Sequence, residues 1–86
     1  MRVLVIDGQG GGLGRQLVTA ITALCPEVEL TAVGTNSMAA SAMLKAGAAR
    51  AATGENAVVV NARRADIIVG PIGICLLYTS PSPRDS

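Results

Sequence analysis

The chain contains no histidine, tryptophan or phenylalanine, and Tyr78 is its single aromatic residue. Without histidine, His-based acid–base catalysis, a Ser-His-Asp triad and His-ligated zinc are all excluded within this sequence. The shortage of aromatics removes the stacking platforms that single-stranded nucleic acid uses. Charge of one sign is also lacking: seven Lys and Arg against six Asp and Glu leave a net +1, with Arg63–Arg64 the one basic pair. Phosphate-backbone binding needs a concentrated positive face, so nucleic acid is not expected as a partner. Two cysteines, Cys25 and Cys75, set up no framework of spacings, which points to free thiols in a reducing, cytoplasmic setting. Apolar runs are short. Val3–Ile6 stops at Asp7, too soon for a secretory signal, and nothing approaches the roughly 20 residues of a membrane span.

What remains is rich in small aliphatic side chains. Half of the 86 residues are hydrophobic, so the core must be built from Val, Ile, Leu, Ala and Met. A chain of this length forms one small domain and buries only about 60–65% of its unfolded surface.

Strand and helix periods alternate along the sequence. Arg2 to Ile6 is a short β-branched run ended by Asp7-Gly8, as expected for a strand covered on both faces. Leu13, Leu17, Val18, Ile21 and Leu24 then share a helical stripe that Pro26 stops. Val28 to Val33 reads as a second strand cut by Gly34. A second helix starts at a cap supplied by Asn36 or Ser37 and runs to Gly47, a natural residue just past a helix end. Ala48 to Ala52 suits a third strand. Thr53 is the expected cap of a third helix over Gly54 to Arg64, preferred to a strand at Val58-Val59-Val60 because Ala65 to Val69 reads as the better fourth strand, ended by Gly70-Pro71. Such alternation implies an α/β fold, a Rossmann-like parallel sheet with flanking helices.

The composition changes abruptly near the end. Cys75 to Ser86 holds two of the four prolines and the one aromatic residue. From Ser80 onward it reads as an extended or disordered tail. Its order Cys-Leu-Leu-Tyr-Thr-Ser-Pro-Ser-Pro-Arg-Asp resembles the translation of a transposase-type sequencing adapter. The expected organisation is therefore a partial domain over residues 1–74, cut after about the fourth strand, and a non-native tail over 75–86. No chemistry is assigned to Cys75 or Tyr78.

The chemistry-bearing motif is the segment Gly8-Gln9-Gly10-Gly11-Gly12-Leu13-Gly14 between the first strand and the first helix. Glycines let backbone approach a ligand closely, and a helix start behind them offers unpaired N–H groups and partial positive charge to a phosphate. Taken as Gly8, Gly12 and Gly14, the spacing G-x-x-x-G-x-G resembles the cofactor loop of short-chain dehydrogenases, and Arg15 continues the likeness. That resemblance implies NAD or NADP as the cofactor. Departures from it are also present. Asp7 precedes the loop, where a carboxylate repels a pyrophosphate unless a metal or a ribose hydroxyl faces it; its plainer reading is a turn or cap residue. The end of the second strand carries Gly34-Thr35-Asn36 in place of the acidic residue that holds an NAD ribose. These small polar residues can bind a ribose or leave room for a 2′-phosphate, and they are equally ordinary turn formers. The Tyr-x-x-x-Lys pair of short-chain dehydrogenases is missing, and Lys45 is the sole lysine.

Other candidates have simpler readings. Glu55 and Asn56 follow the third strand and either face a bound sugar or begin a helix whose dipole favours Glu55. Gly70-Pro71 is most simply a strand terminator. Cys25, before Pro26, has no basic neighbour and reads as a buried thiol. Arg63 and Arg64 suit a solvated helix end.

Over Arg2 to Ile74 the chain resembles an uncharacterised family of small bacterial proteins, a domain of unknown function with a Rossmann-like start. The likeness lies in Val5 through Gly14, in Gly34-Thr35-Asn36 with Ser41 through Ala48, in Ala52 through Ala57, and in Ala65 through Ile74. It implies the fold and continuation of the sheet beyond this point, and it brings no activity with it. The expected function is nucleotide or dinucleotide binding through the glycine segment. The alternatives are a non-catalytic nucleotide sensor or partner-binding module, and a structural domain without ligand. Nucleotide binding requires amides at the start of the first helix that are open to an external anion.

Overall fold

Eight elements follow one another in a computed structural model that describes residues 1–8 and 12–70, and the backbone of 73–76. They are β1 (Arg2–Asp7), α1 (Gly12–Leu24), β2 (Glu29–Gly34), α2 (Ser37–Lys45), β3 (Arg50–Thr53), α3 (Glu55–Ala62), β4 (Ile67–Gly70) and β5 (Gly73–Leu76). They form one sheet in the order β3-β2-β1-β4-β5. β1 pairs in parallel with β2 and β4, and β2 pairs in parallel with β3. The expected α/β architecture with four parallel strands is present.

The fifth strand was not foreseen in the sequence. It pairs antiparallel with β4, with Gly70 opposite Gly73 and Ile67 opposite Leu76. Gly70 ends β4 as expected, but two residues later the chain turns back along the same sheet edge. The connection has the length of the commonest hairpin loops. A terminator signal and a hairpin signal look alike here, because both rest on Gly and Pro.

Side-chain alternation sorts the strands into two faces. On one, Val3, Val5, Leu30, Ala32 and Val69 meet Val18 of α1 and Ala39 and Met43 of α2. On the other, Leu4 and Val33 meet Ala57, Val58 and Ala62 of α3. The first cluster is the larger and better covered, and α3 has no fully buried residue. The stripe proposed for α1 needs trimming at both ends. Val18 is buried and Leu17 and Ile21 pack on the core, whereas Leu13 and Leu24 are 46% and 81% exposed. Cys25 is also exposed rather than buried, since it lies beyond the end of α1 where the chain leaves the core.

Helix ends follow local chemistry. Asn36 has extended backbone and its Oδ1 accepts the Ala39 N–H at 2.8 Å, making it the cap of α2. Asn36→Ala is expected to cost about 1 kcal/mol of stability, measurable as a lower urea midpoint with an unchanged slope. Gly47 follows the C-cap Ala46 with φ of +125°, as expected for the left-handed residue past a helix end. Thr53 does not cap α3. It ends β3, and Gly54 takes the cap position with φ of +97° and no side-chain bond, a backbone conformation that threonine rarely adopts.

Candidate ligand site at the carboxyl edge of the sheet

In parallel β-α-β succession every strand ends, and every following helix begins, at the same edge of the sheet. The ends of β1, β2 and β3 and the starts of α1, α2 and α3 therefore gather there. β2 lies on one side of β1 and β4 on the other, so the strand order reverses beside β1. The glycine segment leaves β1 at that reversal. Gly8, Gly14, Gly34, Thr35 and Asn36 are all brought to this edge, while Gln9, Gly10 and Gly11 lie outside the described residues.

Direct bonds tie the strand ends together. The Thr35 N–H donates to the Asp7 carbonyl at 3.1 Å, and the Gly54 N–H donates to the Gly34 carbonyl at 3.2 Å. The Thr35 hydroxyl donates to the Gly8 carbonyl at 2.8 Å, joining the first residue after β1 to the first after β2. Thr35 and Asn36 are both exposed at this edge, but each already holds backbone in place.

Two glycines serve close approach. A Cβ on Gly14 would lie 2.6 Å from the Met43 sulfur and 2.8 Å from the Asp7 Cβ, so α1 can approach β1 and α2 this closely only with glycine there. A Cβ on Gly34 would lie 2.6 Å from the Ala40 nitrogen, within the first turn of α2. Gly12 differs from both. It is exposed, and no described atom lies within 4 Å of a Cβ built on it. Leu13 beside it is also exposed. Among the described residues nothing packs on Gly12, whereas Gly14 and Gly34 are packing residues.

Asp7 is the feature that sequence reasoning weighed least well. It is only 2% exposed, and its Oδ2 accepts the Gly14 N–H at 2.9 Å. Gly14 is the third residue of α1, so one of the helix's unpaired amides is satisfied by a carboxylate from the end of β1. The negative charge also sits where the helix dipole favours it. The expectation that these amides stay open to an external anion fails at Gly14: the protein supplies its own. The sequence signal was present in Asp7 itself, an acidic residue at a strand end just before a helix start, and of its two readings the cap is the one realised.

The remaining charged groups near this edge are modest. Glu55 lies in the first turn of α3 and is exposed, in keeping with its dipole role. Among the described residues no group of three or more His, Cys, Asp and Glu side chains is placed to hold a metal ion. No described helix is long and apolar enough to cross a membrane.

An open, mostly parallel sheet with helices on both faces and a glycine segment leaving the central strand where the order reverses is a Rossmann-like α/β domain. More particularly, residues 2–80 match the model of the DUF3842 family, a domain of unknown function, and the chain belongs to that family. No curated protein and no solved structure matches it significantly.

Proposed function

We propose that the carboxyl edge around β1 binds a nucleotide, with NAD or NADP the dinucleotides to be tested first. The observation that carries this reading is the departure of a glycine-rich segment from β1 at the reversal of strand order. In open α/β sheets ligands bind outside the carboxyl ends of the strands at such a point. Gly12, exposed and with no described atom within 4 Å of a Cβ built on it, allows close approach of a ligand to backbone. The phosphate is assigned to Gly8 through Gly12, upstream of Gly14, because the Gly14 amide is committed to Asp7. Thr35 and Asn36 are the residues assigned to a ribose. They fit its hydroxyls less decisively than a carboxylate would, and the Asp7 charge opposes a pyrophosphate placed directly on the start of α1.

The Asp7–Gly14 bond favours a second reading, in which the glycine segment closes on the protein itself and the domain is a structural or partner-binding module. Calorimetric titration of NAD, NADP and ATP into the protein separates the two. Nucleotide binding predicts saturable heat with at least one of them, and about a tenfold or greater loss in Gly12→Asp, whose Cβ meets no described atom within 4 Å and whose carboxylate brings a negative charge to the phosphate seat. Absence of binding, or equal affinity in the variant, selects the second reading.

A further inference from the structure

The opposite, amino edge of the sheet carries a polar groove that nothing above uses. Its floor comes from three adjacent strands. Arg2 of β1 stands opposite Glu29 of β2, and Thr31 of β2 stands opposite Arg50 of β3. Strand alternation puts these four residues on the face that Leu4 and Val33 turn toward α3. Asn61, in the last turn of α3, and Arg64, just beyond it, line the groove as well.

Three guanidiniums and a single carboxylate around one groove leave a local charge of +2, larger than the +1 of the whole chain. The carboxylate does not quench its neighbours tightly. Glu29 lies 3.7 Å from the Arg2 Nε and 4.0 Å from the Arg50 guanidinium, both beyond hydrogen-bond length. All three side chains are about half exposed or more, so both guanidiniums keep N–H donors for another partner. Asn61 donates one amide hydrogen to the Ala57 carbonyl at 2.8 Å and keeps a second.

We infer that this groove binds a phosphate group, either as the free ion or as a small organic phosphomonoester. Guanidinium forks match phosphate oxygens in geometry and remain charged at any working pH. The groove's volume of about 200 Å³ is below the roughly 300–1,000 Å³ of sites that take drug-sized ligands. A single phosphate with a few attached atoms fits that space. The site is thus separate in place from the nucleotide site proposed at the carboxyl edge.

Titrating orthophosphate into the ¹⁵N-labelled chain and following backbone amide shifts tests this directly. Saturable shifts are expected at Thr31, Arg50, Asn61 and Arg64, independent of any change at Gly14 and Thr35 on the far edge. Arg50→Gln should weaken binding about tenfold. Glu29→Gln should strengthen it several-fold, because the built-in anion no longer competes, and a purely structural ion pair would give no such gain. Glycerol 3-phosphate is titrated in parallel. Tighter binding than orthophosphate assigns the groove to an organic phosphate, and equal binding assigns it to the ion. The inference is overturned by the absence of saturation at those amides, by equal shifts at the remote Arg15, or by a Glu29→Gln variant that binds no more tightly than the parent.

Discussion

Gly34→Ala is expected to lower folding stability by about 3 kcal/mol, seen as a fall in the urea midpoint at constant slope. The added methyl would sit 2.6 Å from the Ala40 nitrogen, 2.8 Å from the Ala39 Cβ and 2.9 Å from the Asn36 carbonyl oxygen. Two of these three atoms are backbone, and Ala39 has no rotamer to change, so relief requires moving the start of α2 away from β2. That movement would disturb the Asn36 cap and the contacts of Ala39 and Met43 with the larger core cluster. A domain of this size has only about 4–13 kcal/mol of total stability to lose. Gly12→Ala is the control, since the same methyl there meets no described atom. It should leave stability unchanged or raise it by up to about 1 kcal/mol through better helix propensity. Equal effects at the two glycines would contradict the packing geometry.

Asp7→Ala is expected to cost about 2–3 kcal/mol, by loss of a charge-assisted bond and by leaving the buried Gly14 N–H without this acceptor. Part of the loss is the favourable placement of a negative charge at the start of α1. Asp7→Asn keeps an oxygen acceptor in nearly the same place, so it should retain more than half of the stability lost in the alanine variant. The pair also bears on ligand binding. If phosphate is held on Gly8 through Gly12, removing the adjacent charge in Asp7→Asn should tighten nucleotide binding several-fold while stability falls slightly. Weaker nucleotide binding in Asp7→Asn would mean that the carboxylate itself contacts the ligand, and would move the proposed phosphate seat.

Much of this architecture was legible because the strand and helix periods are clean. Val3–Ile6, Val28–Val33 and Ile67–Val69 carry enough β-branched residues to mark strands, and Asn36 and Gly47 mark both ends of α2 by chemistry specific to helix termini. Legibility failed where the same residue types serve two purposes. Glycine and proline after Val69 looked like a stop and instead precede a strand that doubles back. Thr53 looked like a cap, but the sharp turn into α3 needs the positive φ of Gly54. Leu24 and Cys25 looked interior by type, yet the chain is already leaving the core there. At the candidate site, the glycines could be counted from sequence but not sorted. Only geometry separates Gly12, with no described atom near its Cβ position, from Gly14 and Gly34, which allow close helix–sheet contact. The amino-edge groove was invisible for a related reason. Arg2, Arg50 and Arg64 are scattered in the sequence, and only strand pairing together with the return of α3 to the amino edge brings them together.

The unequal covering of the two sheet faces sets an order of assembly as the chain emerges from the ribosome. Of the nine buried residues in the larger cluster, eight precede residue 54, and only Val69 comes later. The first half can therefore collapse around β1, β2, α1 and α2 while the second is still being made. β4 must afterwards find its place beside β1, pairing residues more than sixty positions apart. Long-range pairing of this kind is slow, because its loop-closure entropy is spent before its contacts form. During that interval the free edge of β1 lies open to other chains, which makes it the point at which a nascent molecule is most exposed to misassembly.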